Sequence, residues 1–421
     1  MHNIKTLTNG LTLITVDLPH LDSVTTLVAV GAGSRYETKK INGISHFLEH
    51  MFFKGSRKYP TAEIISTLVD GIGAINNAYT HKECTVYWIK SSSKHIELSS
   101  DIISSMIKES LLAEDEIERE KGVIVEELRM IRDIPAQMVG SLYEKLQFGD
   151  QPLGWDIGGE EEIVTQLKRD DFVNYINSLY SPKNMTLVYV GKLPSNILSL
   201  ANKYFLDLPK RGQFKFAPFR KEKQDKSKAA IFYKKTDQAN LILGVEAYSR
   251  YDKKRYPAAV LGTILGEGMS SRLFIQIRER RGLAYHVSAG PGFYMDTGNF
   301  AVYAGLKLEK VYEGLEVIKA ELERTAVEKV TDDELKKAKE MIRGRLAIAS
   351  ESTNFLAQYF GTAYVLDRKI ETFDEFLRKI DEVTKEDVQN LAKELFTKDR
   401  YNLQAIGPFK VKGRFEEILT A

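Results

Sequence analysis

An order of elements that occurs twice constrains this chain more than any other feature. A strand-like run from Val24 to Val30 leads into Ser34-Arg35-Tyr36-Glu37 and then an apolar helical stretch, and a run from Asn240 to Glu246 leads into Ser249-Arg250-Tyr251-Asp252 and then another. The recurrence, 215 residues on, implies a duplicated unit in which each copy buries its own core. Between the copies, Pro209 to Lys228 contains Lys210, Arg211, Gly212, Gln213, Pro218 and the charged run Arg220 to Lys226, the composition of a flexible connection. At 421 residues the chain also exceeds what one hydrophobic core organises. We expect domains at 1–210 and 229–421, joined by a linker at 211–228.

Inside each copy, helical periodicity over 94–111, 114–132, 309–329 and 332–350 alternates with short strands, and strands at 74–79 and 84–89 follow one another directly. The pattern predicts an α+β fold of two similar sandwich domains with mainly antiparallel sheets.

One helix carries an anomaly. His46, Glu49 and His50 interrupt an otherwise apolar row of Ile44, Phe47, Leu48, Met51, Phe52 and Phe53. Unpaired polar groups sunk in such a helix would cost several kcal/mol. Two imidazoles four apart lie about 40° apart around the axis and roughly 6 Å along it, so both can reach one ion, with Glu49 beside it as a base. A third protein ligand is needed for zinc. On the helix beginning near Glu114, Arg119, Gly122, Glu126, Arg129 and Asp133 form a wholly polar stripe, whereas Glu120, Ile124, Glu127 and Ile131 form an inward one. Glu127 is therefore a better ligand than Glu126, and Glu120, two turns earlier, serves as a supporting or catalytic carboxylate.

The second copy acts as an internal control. Leu261, Ile264 and Leu265 stand where the first has His46, Glu49 and His50, and Ala338 and Arg345 stand opposite Glu120 and Glu127. The second copy has lost every metal-site group, and where the scaffold needs only packing it uses Leu, Ile and Ala.

The run His46-Phe47-Leu48-Glu49-His50-Met51-Phe52-Phe53-Lys54-Gly55, followed by Glu118-Arg119-Glu120 and Glu127, resembles the inverted zinc motif of the inverzincins, the family of pitrilysin, insulin-degrading enzyme and mitochondrial processing peptidase. The resemblance covers nearly the whole chain and implies two α+β domains forming half of a clamshell, with one zinc ion per chain held by His46, His50 and Glu127. It implies Glu49 as the general base and Glu120 as a further acidic residue of the active site. Within Gly73 to Thr80, small and polar enough for an exposed edge strand, it places Asn77 and Ala78 against a substrate backbone. Without it, that segment reads as an ordinary hairpin and Arg278 to Arg281 as a charged helix end. With it, Arg278 and Tyr285 look like the family's pair that contacts the substrate carbonyl or backbone at the metal. A single half carrying both motifs implies a homodimer, closed around a chamber for short or unfolded peptides, in which each subunit completes its partner's site.

A formal charge of +2 argues against a dedicated nucleic-acid or membrane-surface protein. The one cysteine, Cys84, has no partner for an internal disulfide. No apolar run reaches membrane-spanning length and Met1-His2-Asn3-Ile4-Lys5 has no signal-peptide core, so the expected compartment is the cytoplasm. Gly266-Glu267-Gly268 lacks the lysine of a phosphate loop and reads as a turn and cap. Two readings stay open beside the zinc endopeptidase: a non-catalytic partner or core-type subunit of the same fold, and a heterodimer with a second chain. The sequence does not separate peptide degradation from precursor processing.

Overall fold

Strands buried without alternation have cover on both faces, as in the runs Ser23–Val30 and Met185–Gly191. The computed structural model describes residues 2–212 and 215–421, so Gln213, in the expected linker, lies outside the described residues. In the first sheet Val24, Val28 and Val30 point into a cluster that includes Phe47, Leu48, Met51 and Phe52. Leu27 and Ala29 point the other way, against the helix Thr353–Asp367. There, a Cβ on Gly361 would stand 2.8 Å from Leu27 Cδ2, so only glycine lets helix and sheet approach this closely.

The strands are β1 (His2–Thr6), β2 (Thr12–Asp17), β3 (Ser23–Val30), β4 (Ile75–Thr80), β5 (Thr85–Ser92) and β6 (Met185–Gly191), then β7 (Lys228–Tyr233), β8 (Gln238–Ala247), β9 (Ala284–Phe293), β10 (Gly298–Lys307) and β11 (Asn402–Gly407). They form two sheets, ordered β1-β2-β6-β3-β5-β4 and β7-β11-β8-β10-β9. The duplication read from sequence is visible strand by strand. β2 pairs β6 in parallel as β7 pairs β11. The antiparallel succession β6-β3-β5-β4 then matches β11-β8-β10-β9. The first sheet adds only β1, so the fold is α+β with largely antiparallel sheets.

The chain forms two compact units, and neither is continuous in sequence. The first comprises Met1–Arg129, Asp156–Ala217 and Ala347–Glu371, and the second Met130–Trp155, Pro218–Leu346 and Thr372–Ala421. The packing adds an exchange to the linear division expected from sequence: helix Thr353–Asp367 covers β3 and β6, and helix Pro135–Phe148 covers β8 and β11. A two-faced apolar sheet needs such a lid, and here each lid comes from beyond the linker. Among the described residues no helix is long and apolar enough to cross a membrane.

Candidate metal centre

The helix Ile44–Phe52 is held by what its apolar face buries. Phe47, Leu48, Met51 and Phe52 are at most 1% exposed, each contributing about 1.5–3 kcal/mol of burial. Its start is fixed by a buried carboxylate. Glu37 accepts hydrogen bonds from the backbone N–H groups of Gly43 (2.8 Å) and Ser45 (2.8 Å) and from Asn42 Nδ2 (2.9 Å), filling donors that a helix N-terminus leaves open. Gly43 itself has φ 96°. A Cβ there would sit 2.6 Å from the Gly158 carbonyl oxygen.

This clamp gives a pH signature. Burial, opposed by the hydrogen bonds from Ser45, Asn42 and Gly43, raises the Glu37 pKa from 4.5 to about 7. A raised acid favours the fold while protonated, so this contribution is complete below pH 4.5 and is lost as pH rises through about 7. We expect stability to fall by up to about 3 kcal/mol across that window. In Glu37→Gln, less stable overall, that slope should vanish, whereas equal slopes for both proteins by denaturant unfolding would remove Glu37 from this role.

From this anchored helix the polar groups project to one place. His46 and His50 stand with ring centroids 4.7 Å apart and planes at 74°. Glu127, on helix Glu114–Asp133, meets both: its Oε1 lies 3.6 Å from His46 Nε2 and its Oε2 3.5 Å from His50 Nε2. These separations exceed a good hydrogen bond. Each runs to a different oxygen of Glu127 and is of the separation that two donors of one zinc ion can take, about 3.3–3.6 Å. His46, His50 and Glu127 offer one atom each within 4.8 Å of one another, the one such set of His, Cys, Asp and Glu among the described residues. The donor chemistry and spacing fit zinc.

The stripes read from sequence survive folding. Glu120 and Ile124 are buried and Glu127 is half-buried, while Arg119, Gly122, Glu126, Arg129 and Asp133 are all exposed. Glu120 Oε1 lies 2.9 Å from His50 Nδ1, and its Oε2 lies 2.5 Å from Lys54 Nζ. Glu49 accepts a 2.6 Å hydrogen bond at Oε2 from the Thr80 hydroxyl. Sequence reasoning gave no role to Lys54, Thr80 or Glu37. For Lys54 a signal existed, since it lies four residues beyond His50, whereas Thr80 reaches Glu49 only through the sheet.

The electrostatics sort these groups. Burial, aided by His50, lowers the His46 pKa against the pull of Glu127 and Asp156. Burial pulls His50 the same way, but Glu120, Glu127 and Glu49 outweigh it and its pKa is raised. The Glu49 carboxyl is pushed above its usual range by burial, against the Thr80 hydrogen bond. Burial pushes Glu120 up too, yet His50 and Lys54 hold it below the ordinary carboxylate range.

Asn77 and Ala78 lie on β4, an edge strand paired only with β5. With Glu49, His50, Phe53, Lys54 and Glu120 they line a recess of about 220 Å³. Arg278 and Tyr285 belong to the second unit. The guanidinium lies 4.9 Å from the Phe274 ring and 4.6 Å from the Tyr285 ring, and Nη1 donates to the Tyr285 carbonyl at 3.0 Å. Tyr285 is 76% exposed. In that unit Leu261, Ile264 and Leu265 are buried and Ala338 is 1% exposed, while Arg345, opposite Glu127, is exposed and pairs with Glu267.

A doubled α+β fold with this His-x-x-Glu-His helix and downstream glutamate defines a class, the single-half pitrilysin-like proteins. The family models agree: residues 12–160 match "Insulinase (Peptidase family M16)" and residues 166–342 match "Peptidase M16 inactive domain". The chain belongs to peptidase family M16. A protein of Bacillus subtilis named an uncharacterised zinc protease is 34% identical over 403 residues, covering 95% of this chain and 97% of that one. Another so named, from Streptomyces coelicolor, is 33% identical over 415 residues, 97% of this chain and 90% of that one. The crystal structure of a protease from Helicobacter pylori shares the fold with a TM-score of 0.90 at 24% identity, covering 97% of this chain and 99% of that chain. A peptidase M16 inactive domain from Pseudomonas fluorescens has a TM-score of 0.88 at 19% identity, covering 97% and 98%.

Proposed function

We propose that this protein is a zinc endopeptidase that cleaves short or unfolded peptides. The observation that carries the reading is the convergence of His46, His50 and Glu127, from helices far apart in the chain, beside the half-buried Glu49. The naming of the Bacillus and Streptomyces relatives as zinc proteases supports it. The inactive-domain match covers 166–342, largely the repeat without metal groups, while the insulinase match covers 12–160, which holds all of them. That distribution favours an active chain over a non-catalytic subunit.

Zinc held by His46, His50 and Glu127 would supply a Lewis acid for the scissile carbonyl and an acidified water as nucleophile. Glu49, oriented by Thr80, takes the proton of the attacking water and passes it to the leaving amine. An extended peptide adds to the edge of β4 at Asn77 and Ala78, and its side chains enter the recess beside Glu49 and Phe53. Arg278 and Tyr285 bind the substrate carbonyl and stabilise the oxyanion, and in our reading they come from the second subunit of a homodimer. A cytoplasmic location belongs to the same proposal.

The test is a cleavage assay on unstructured peptides of about 10–30 residues, the scale of a segment held extended by an edge strand. We expect hydrolysis at internal bonds, loss of more than about 90% of it in chelator, recovery on adding zinc, and no cleavage of folded proteins. Full activity in chelator, or release of terminal residues only, contradicts the proposal.

A further inference from the structure

The turn that follows the histidine helix is tied to the segment that ends helix Ile96–Glu109 and leads into the helix bearing Glu120 and Glu127. Arg57 N–H donates to the Glu109 carbonyl (2.9 Å), Leu111 N–H donates to the Gly55 carbonyl (3.1 Å), and Ser56 and Ser110 form an isolated antiparallel bridge. The turn closes tightly, since a Cβ on Gly55 would stand 2.3 Å from the Pro60 carbonyl oxygen. Lys54 N–H donates to the Met51 carbonyl (3.1 Å), which fixes the start of its side chain at the last turn of the histidine helix. From there the ammonium reaches Glu120 Oε2, and the other oxygen of the same carboxylate holds His50 Nδ1.

Resting on the zinc reading, we propose that Lys54 is a positioning residue for the metal ligand His50, acting through Glu120. Glu120 is buried, with its side chain 4% exposed, and has two oxygens to satisfy. A buried carboxylate with one oxygen unpaired turns toward any available donor or water. With Lys54 on Oε2, Oε1 stays on Nδ1. That contact fixes the imidazole's rotation and directs Nε2, the atom facing Glu127, at the ion. Lys54 thereby links the two ligand-bearing helices by a side-chain brace beside the backbone brace at Ser56 and Ser110.

Zinc affinity, measured by competition with a chromophoric chelator, tests this. Lys54→Met and Lys54→Gln should each weaken binding by about tenfold, and Lys54→Arg should stay within about threefold of the parent. Because Lys54 acts through Glu120, adding Lys54→Met to Glu120→Ala should change affinity less than about twofold. Folded Lys54→Met or Lys54→Gln with parental affinity overturns the proposal, as do losses that multiply in the double variant. Crystal structures of the metal-free variants give a readout independent of zinc: Glu120 should leave Nδ1 in Lys54→Met and keep it in Lys54→Arg, and an unmoved Glu120 in Lys54→Met overturns the brace. A parent that binds no zinc fails the metal reading instead.

Discussion

Glu49→Gln is expected to lower peptide turnover by about 10²–10⁴-fold while zinc stays bound. Glu49 stands beside both histidines on the same helix yet lies outside the set formed by His46, His50 and Glu127, and Thr80 donates a hydrogen bond to it. Glutamine keeps the volume and an oxygen for the Thr80 hydroxyl, so the helix and recess should be undisturbed. What disappears is the ability to accept a proton. Burial, which raises this carboxyl above its usual range, brings it nearer the working range of a general base. The check is kcat together with zinc content. Retained hydrolysis would show that another group carries the proton, and lost zinc would make Glu49 a ligand.

The second large effect concerns the proposed homodimer. If Arg278 and Tyr285 serve the partner's metal site, the Glu49→Gln protein and the Arg278→Ala/Tyr285→Phe protein should each be inactive, and mixing should restore activity. In a mixed dimer one site lacks everything, while the other joins an intact Glu49 to an intact Arg278 and Tyr285. Random exchange makes about half of all dimers mixed, with one good site in two, so about a quarter of parental activity should return. No other arrangement of these residues gives this outcome: sites built within one chain stay inactive on mixing. The pair is suited to the task, since stacking between Phe274 and Tyr285 holds the guanidinium in place while the Tyr285 side chain stays exposed.

Much of this centre was legible because metal chemistry imposes spacings that local helical geometry reveals. His46 and His50 declare themselves by their four-residue separation in an apolar helix, and Glu127 by sharing an inward stripe with Ile124 and Glu120. The repeat was legible for a related reason, since a duplicated sheet keeps its order of strands and turns. What stayed hidden depends on long-range packing. Thr80 comes to Glu49 only through the pairing of β4 with β5 and the docking of the histidine helix. Glu37, given no role from sequence, meets its partners only when folding buries it at the helix start, 4% exposed. The covering of each sheet by a helix from beyond the linker left no local mark, because helices Pro135–Phe148 and Thr353–Asp367 look like any others in their own stretch.

The most direct measurement is zinc stoichiometry by mass spectrometry after equilibrium dialysis. The parent and Glu49→Gln should each hold about one zinc per chain, and His46→Ala and Glu127→Ala should each bind at least about 100-fold more weakly, a missing ligand costing more than a missing support. Undiminished zinc in His46→Ala and Glu127→Ala, or none in the parent, would contradict the claim that these three side chains form the metal centre.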